Sequence, residues 1–93
     1  MITKEQIRLA KNQWEQAHAA TLLAHECYAL LIKSRNALRE SYQEAGFPPS
    51  KAAQDFENLM EEHSARYKAA LEHMEKMESF HQQLLERFES ASS

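Results

Sequence analysis

The sequence contains very few residues that interrupt a helix. It has one glycine and two prolines in 93 residues, and all three lie within residues 46–49. Valine is absent, and three isoleucines and two threonines are the only β-branched residues, so a β-sheet is hard to build from this composition. Because alanine, leucine, glutamate, glutamine, lysine and arginine dominate both halves, the sequence predicts an all-α fold with long helices before and after residues 46–49.

Other absences limit the class of protein. The single cysteine, Cys27, excludes an intrachain disulfide. A net charge of -3 is not typical of a nucleic-acid-binding protein, which carries a basic face. No segment approaches the roughly 20 apolar residues of a membrane span, and the first residues lack the basic and apolar pattern of a signal peptide. We therefore expect a cytoplasmic protein that has no membrane partner.

The ends of the helices carry their own signals. Thr3 and Gln6 have the spacing of a capping box, and Gly46 can adopt the left-handed conformation that closes a helix. Ser50 is a candidate N-cap for the next helix. These signals predict one helical-hairpin domain over residues 1–93, with a first helix over about 4–45, a turn over 46–50 and a second helix over about 51–89.

A seven-residue repeat runs through both predicted helices and is typical of an antiparallel coiled coil. In the register that the short turn imposes, Leu38 lies opposite Phe56. Several small residues face large ones, since Ala17 lies opposite Met77 and Ala10 opposite Leu84. The repeat places on the seam Ile7, Ala10, Trp14, Ala17, Thr21, Ala24, Tyr28, Leu31, Arg35, Leu38, Tyr42 and Ala45 from the first helix. From the second helix it places there Ala53, Phe56, Met60, His63, Tyr67, Ala70, Met74, Met77, His81, Leu84 and Phe88.

Helix 1 carries a second set of apolar residues outside this seam, which predicts a second interface. The set comprises Leu9, Leu22, Leu23, Cys27, Leu30 and Ile32. A two-helix hairpin encloses little core by itself, and small folds of this kind often depend on oligomerisation. We expect either a homodimer of hairpins that forms a four-helix bundle, or a groove that binds a different protein.

Two Glu-x-x-His motifs suggest an alternative function. Glu15 with His18, and Glu78 with His81, place a carboxylate and an imidazole on one helical face, as in di-iron four-helix bundles. The predicted register makes the two motifs neighbours, so a metal-binding bundle is a second hypothesis. The neighbouring seam positions are apolar, however, and supply no further carboxylates. Accordingly, we expect no cofactor in the leading interpretation.

A third hypothesis is a small RNA-binding regulator that uses the basic stripe of Lys33, Arg35 and Arg39. The predicted register brings Arg39 near Glu57 and Lys33 near Glu62, which should neutralise much of this stripe. We therefore do not expect nucleic acid as the main partner.

The sequence contains no phosphate-binding glycine loop, nucleophile elbow or cysteine-based zinc motif. Two helices enclose no pocket for chemistry, so we do not expect an enzyme. No motif points to one particular family, and architecture alone does not imply function. The leading interpretation is a non-enzymatic protein-protein interaction module, such as an adaptor, a chaperone-like factor or a phage-type inhibitor, that acts through the apolar surface of helix 1.

Overall fold

The computed structural model describes residues 1–92 and contains three helices, α1 (Lys4–Lys33), α2 (Arg35–Glu44) and α3 (Pro49–Ser92). No strand occurs within residues 1–92, and the predicted all-α class is confirmed. Helix α3 extends past the predicted end at residue 89. Ser93, the last residue of the predicted domain, lies outside the described residues.

The capping box at the start of α1 is confirmed. The Thr3 amide donates to Gln6 Oε1 at 2.9 Å, and the Gln6 amide donates to Thr3 Oγ1 at 3.2 Å. Each side chain thus satisfies a backbone N–H that has no partner inside the helix.

The predicted helix over 4–45 is interrupted at one residue, Ser34. Its amide hydrogen is shared between the carbonyls of Leu30 at 2.9 Å and Leu31 at 3.2 Å. The Ser34 hydroxyl donates to the same Leu30 carbonyl at 2.8 Å. A serine that bonds back to the fourth preceding carbonyl competes with the backbone ladder and bends a helix. Helix α1 ends before this residue and α2 begins after it.

The reversal after α2 has the geometry expected of Gly46. This residue has φ of 85°, its amide donates to Gln43 O, and the Phe47 amide donates to Tyr42 O. These two bonds form a Schellman motif, which satisfies the free carbonyls at the end of a helix. The Phe47 ring lies 5.5 Å from the Tyr42 ring and supplies the apolar contact that accompanies this motif.

Helix α3 begins at Pro49, so the predicted N-cap Ser50 instead lies inside its first turn. Proline is favoured at the first helical position because its missing N–H has no helical partner there in any case. The Lys51 amide donates to Pro48 O at 3.0 Å, which places the cap before Pro49.

The chain forms two compact units, the first of which joins Met1–Leu22 to the chain from Ala69 onward. The Trp14 ring stacks on His81 with 6.0 Å between ring centroids. The Thr21 hydroxyl lies 2.8 Å from Ala17 O and 3.1 Å from Ala70 O, and so links α1 to α3. Trp14 contacts His81, whereas Thr21, later in α1, contacts Ala70, earlier in α3. The two helices of this unit therefore run antiparallel.

The second unit comprises Leu23–Lys68. Its helices also run antiparallel, because His25 contacts Tyr67 with 5.5 Å between ring centroids, whereas Tyr42 hydrogen-bonds to Asp55. Leu38 and Phe56, which the register places opposite each other, line the same cleft. None of the described helices combines the length and the apolar character needed to cross a bilayer.

Candidate functional site

The buried side chains of the described residues are all small, and Thr21 is the one polar residue among them. Among the described residues, the buried hydrophobic positions are Ala10, Ala17 and Ala52, and no large side chain is fully buried. Trp14, Tyr28 and Leu38 on the predicted seam are half-buried. The seam therefore separates two helices without enclosing a core, and the remaining apolar surface faces solvent.

All six residues predicted to form the second interface are exposed. Leu23 and Leu30 each retain 61% of their accessible surface, and Leu22 retains 53%. The other three exposed members are Leu9, Cys27 and Ile32. Their position outside the seam thus agrees with the sequence pattern, while their role in binding a partner stays a prediction.

The six residues do not form one patch. Leu23, Cys27 and Leu30 are spaced by four and three residues, so they lie on one face of α1 within the second unit. Ile32 follows Leu30 by two residues and therefore points to another side of the helix. Leu9 and Leu22 belong to the first unit. The strongest candidate surface is consequently the face of Leu23, Cys27 and Leu30, which we call the outer face.

In the first unit, Leu9 lines an apolar cleft together with Phe80, which the sequence analysis did not include in a site. The cleft has a volume of about 370 Å³, and its apolar lining residues include Met1, Ile2 and Leu84. Leu9 is 50% exposed and Phe80 47%. The position of Phe80 outside the seven-residue repeat of α3 is the sequence signal that identifies it.

A second cleft, of about 510 Å³, lies in the second unit between α2 and the start of α3. Leu38, Phe56 and Met60 form apolar walls, and the Arg35 guanidinium lies 5.5 Å from the centre of the Phe56 ring. This distance is within the range of a cation–π interaction. Arg35 thus occupies its seam position by packing on an aromatic ring.

Near the turn, a tyrosine, an aspartate and a lysine form one polar cluster. The Tyr42 hydroxyl donates to Asp55 Oδ2 at 2.7 Å, and Lys51 Nζ lies 3.1 Å from Asp55 Oδ1. The Tyr42 hydroxyl and the Lys51 ammonium lower the pKa of the Asp55 carboxyl, and the same hydrogen bond raises the pKa of Tyr42. The hydrogen bond between Tyr42 and Asp55 links α2 to α3.

The residues of the metal hypothesis are not assembled into a site. Glu15, His18 and Glu78 are exposed, while the His81 ring stacks on Trp14. Within residues 1–92, no group of three or more histidine, cysteine, aspartate or glutamate side chains is placed to hold a metal ion.

The basic stripe of Lys33, Arg35 and Arg39 is exposed, and in the described part of the chain it does not pair with the expected glutamates of α3. Arg39 donates to Asn36 Oδ1 at 2.7 Å, and Glu62 pairs with Arg66 on its own helix. For Arg39 and Glu62, a neighbour one turn away on the same helix supplies the partner instead.

No protein-family model, curated protein or solved structure matches this chain. Its function must therefore be argued from the surfaces described above.

Proposed function

We propose that this chain is a non-enzymatic protein-protein interaction module that self-associates through the exposed apolar surface of α1. The observation that carries the proposal is the contrast in burial. Three alanines and Thr21 occupy the buried positions of the described residues, whereas Leu23 and Leu30 are each 61% exposed. Burial of large apolar side chains is the main stabilising contribution in folding and association, and for these two leucines a partner is needed to supply it.

The total accessible surface supports this interpretation. The chain exposes 7136 Å², whereas a folded monomer of 10.8 kDa exposes about 5,500 Å² on average. The difference exceeds the roughly 800 Å² per partner that a standard protein interface buries. A homodimer in which two antiparallel helix pairs form a four-helix bundle removes such surface from water and places the leucines of α1 in a common core.

The homodimer is in turn suited to act as an adaptor, a chaperone-like factor or an inhibitor in the cytoplasm, because the apolar cleft of Leu9 and Phe80 in the first unit offers a separate surface. A self-associating scaffold of this kind needs no cofactor and no catalytic group.

Sedimentation equilibrium of the purified chain tests the proposal. We expect about twice the chain mass of 10.8 kDa at micromolar concentration. A single species of one chain mass across that range would refute self-association. The exposed leucines of α1 would then need a different partner to cover them.

A further inference from the structure

The four-and-three spacing of Leu23, Cys27 and Leu30 on the outer face is that of a coiled-coil seam, and it continues into α2. Positions separated alternately by four and three residues run along the exposed side of α1 and α2 in the second unit. They are Leu23, Cys27, Leu30, Ser34, Ala37 and Ser41, and all six are exposed and uncharged. In a chain with 27% charged residues, an exposed helix face of this length ordinarily carries charges. Its absence of charge indicates a second seam without a partner in this chain.

Large and small side chains alternate along this second seam. Leu23 and Leu30 occupy one of the two heptad positions, whereas Cys27 and Ser34 occupy the other. Two parallel copies bring like positions together, so that leucine meets leucine and serine meets serine, with voids between the small residues. Two antiparallel copies bring each leucine opposite a small residue, which allows close packing in the layers that contain a leucine.

We propose that a second copy of this chain packs antiparallel on the outer face, across a two-fold axis. Leu30 of one copy then lies opposite Cys27 of the other, and Leu23 opposite Ser34. A two-fold interface uses the same patch on both subunits, so each contact occurs twice. This assignment rests on the self-association proposed above and specifies its surface and orientation.

Charges beside the seam select this register. Glu26 and Lys33 each precede a small seam residue, are exposed, and form no ion pair within the described residues. In the proposed register Glu26 of one copy lies near Lys33 of the other, on both sides of the axis. A shift by one heptad brings the two Glu26 side chains together instead, and like charges repel.

Matched substitutions on α1 test the surface. Leu30→Glu places a charge in the second seam, and Ile32→Glu places the same charge at a comparably exposed position outside it. We expect sedimentation equilibrium to give one chain mass for Leu30→Glu and two for Ile32→Glu. Because both residues are exposed, both variants should keep their helical circular dichroism at temperatures below their unfolding midpoints.

The outcomes separate the two proposals. A monomeric wild-type chain refutes self-association and the second seam together. If the wild-type chain is dimeric, two results overturn the assignment to the outer face and leave self-association intact. One is a Leu30→Glu variant that remains dimeric, and the other is an Ile32→Glu variant that is monomeric.

Charge exchange tests the register. Glu26→Lys brings like charges together twice across the axis, so the dimer dissociation constant should rise several-fold. Addition of Lys33→Glu should restore the wild-type value, since each pair is then reversed. Additive weakening by the two substitutions would contradict the proposed register.

The single cysteine makes the orientation measurable. In the proposed dimer the two Cys27 residues are offset by three positions and lie about 10 Å apart, so a short bismaleimide should join them. In a Cys27→Ser background, Ser41→Cys places thiols more than about 30 Å apart when the helices are antiparallel. We expect cross-linked dimer for the wild type and none for the Ser41→Cys variant.

Equal cross-linking of both proteins would show parallel packing and overturn the proposed orientation. Failure of Cys27 to cross-link in a dimeric sample would exclude the outer face as the interface.

Discussion

At the scale of single residues, the polar contacts near the turn make stability depend on pH. The Tyr42 hydroxyl and Lys51 lower the pKa of Asp55 in the folded chain. A carboxyl with a lowered folded-state pKa stabilises the fold above its unfolded pKa. This contribution is lost as the pH falls through the folded-state value.

Tyr42→Phe removes the larger of these two effects. We expect the variant to be less stable than wild type at neutral pH, and the difference between the two to narrow as the pH falls into the titration range of the carboxyl. Denaturant unfolding at a series of pH values measures this. Tyr28→Phe is the control, since Tyr28 is a half-buried tyrosine of the same unit, and its difference from wild type should not change with the pH. An equally constant difference for Tyr42→Phe would contradict the role given to its hydroxyl.

At the scale of helices, local contacts define where each element begins and ends. The capping box of Thr3 and Gln6 and the positive φ of Gly46 involve residues at most a few positions apart. The interruption at Ser34 is also local, because one hydroxyl and one amide compete for the Leu30 carbonyl. Each of these features can be altered by one substitution.

Ser34→Ala should join α1 to α2. The change removes the competing hydroxyl and introduces the residue with the highest helix propensity, so the free energy of unfolding should rise by about 0.5 kcal/mol. NMR Cα shifts of the residues around position 34 should become those of a continuous helix. Ser41→Ala supplies a similar gain in propensity within α2 and should leave those shifts unchanged. Persistence of the irregular shifts in Ser34→Ala would mean that another contact causes the interruption.

At the scale of the whole molecule, the distribution of apolar surface is the dominant feature. Ala10, Ala17 and Ala52 are buried, whereas five leucine and isoleucine side chains are about half exposed or more. Interior alanines allow helices to approach closely but remove little apolar area from water. The stability of the fold should therefore depend on association.

Thermal unfolding at increasing protein concentration tests that dependence. If association stabilises the fold, the midpoint should rise with concentration, because mass action favours the folded dimer. Leu30→Glu should unfold at a lower midpoint that does not change with concentration, and Ile32→Glu should follow wild type. A wild-type midpoint that is independent of concentration would show that each chain is stable alone.

Much of the candidate surface could be predicted from the sequence. The seven-residue repeat separated Leu23, Cys27 and Leu30 from the seam, and all three are exposed. Phe80 was not assigned to a site because only the folded chain brings it beside Leu9. The expected pairing of Arg39 with Glu57 did not occur, since long charged side chains choose among several partners within reach.

The sequence by itself determined the helical class, the capping box at Thr3, and the reversal at Gly46. These features depend on residue propensity and on hydrogen bonds between residues close along the chain, which a short stretch of sequence specifies. Only the tertiary structure decided that Tyr42 bonds to Asp55, that Arg35 packs on Phe56, and that the buried residues of the described chain are three alanines and Thr21. Contacts between helices depend on the rotation and separation of both partners, and the repeat fixes these quantities only to within about one helical turn.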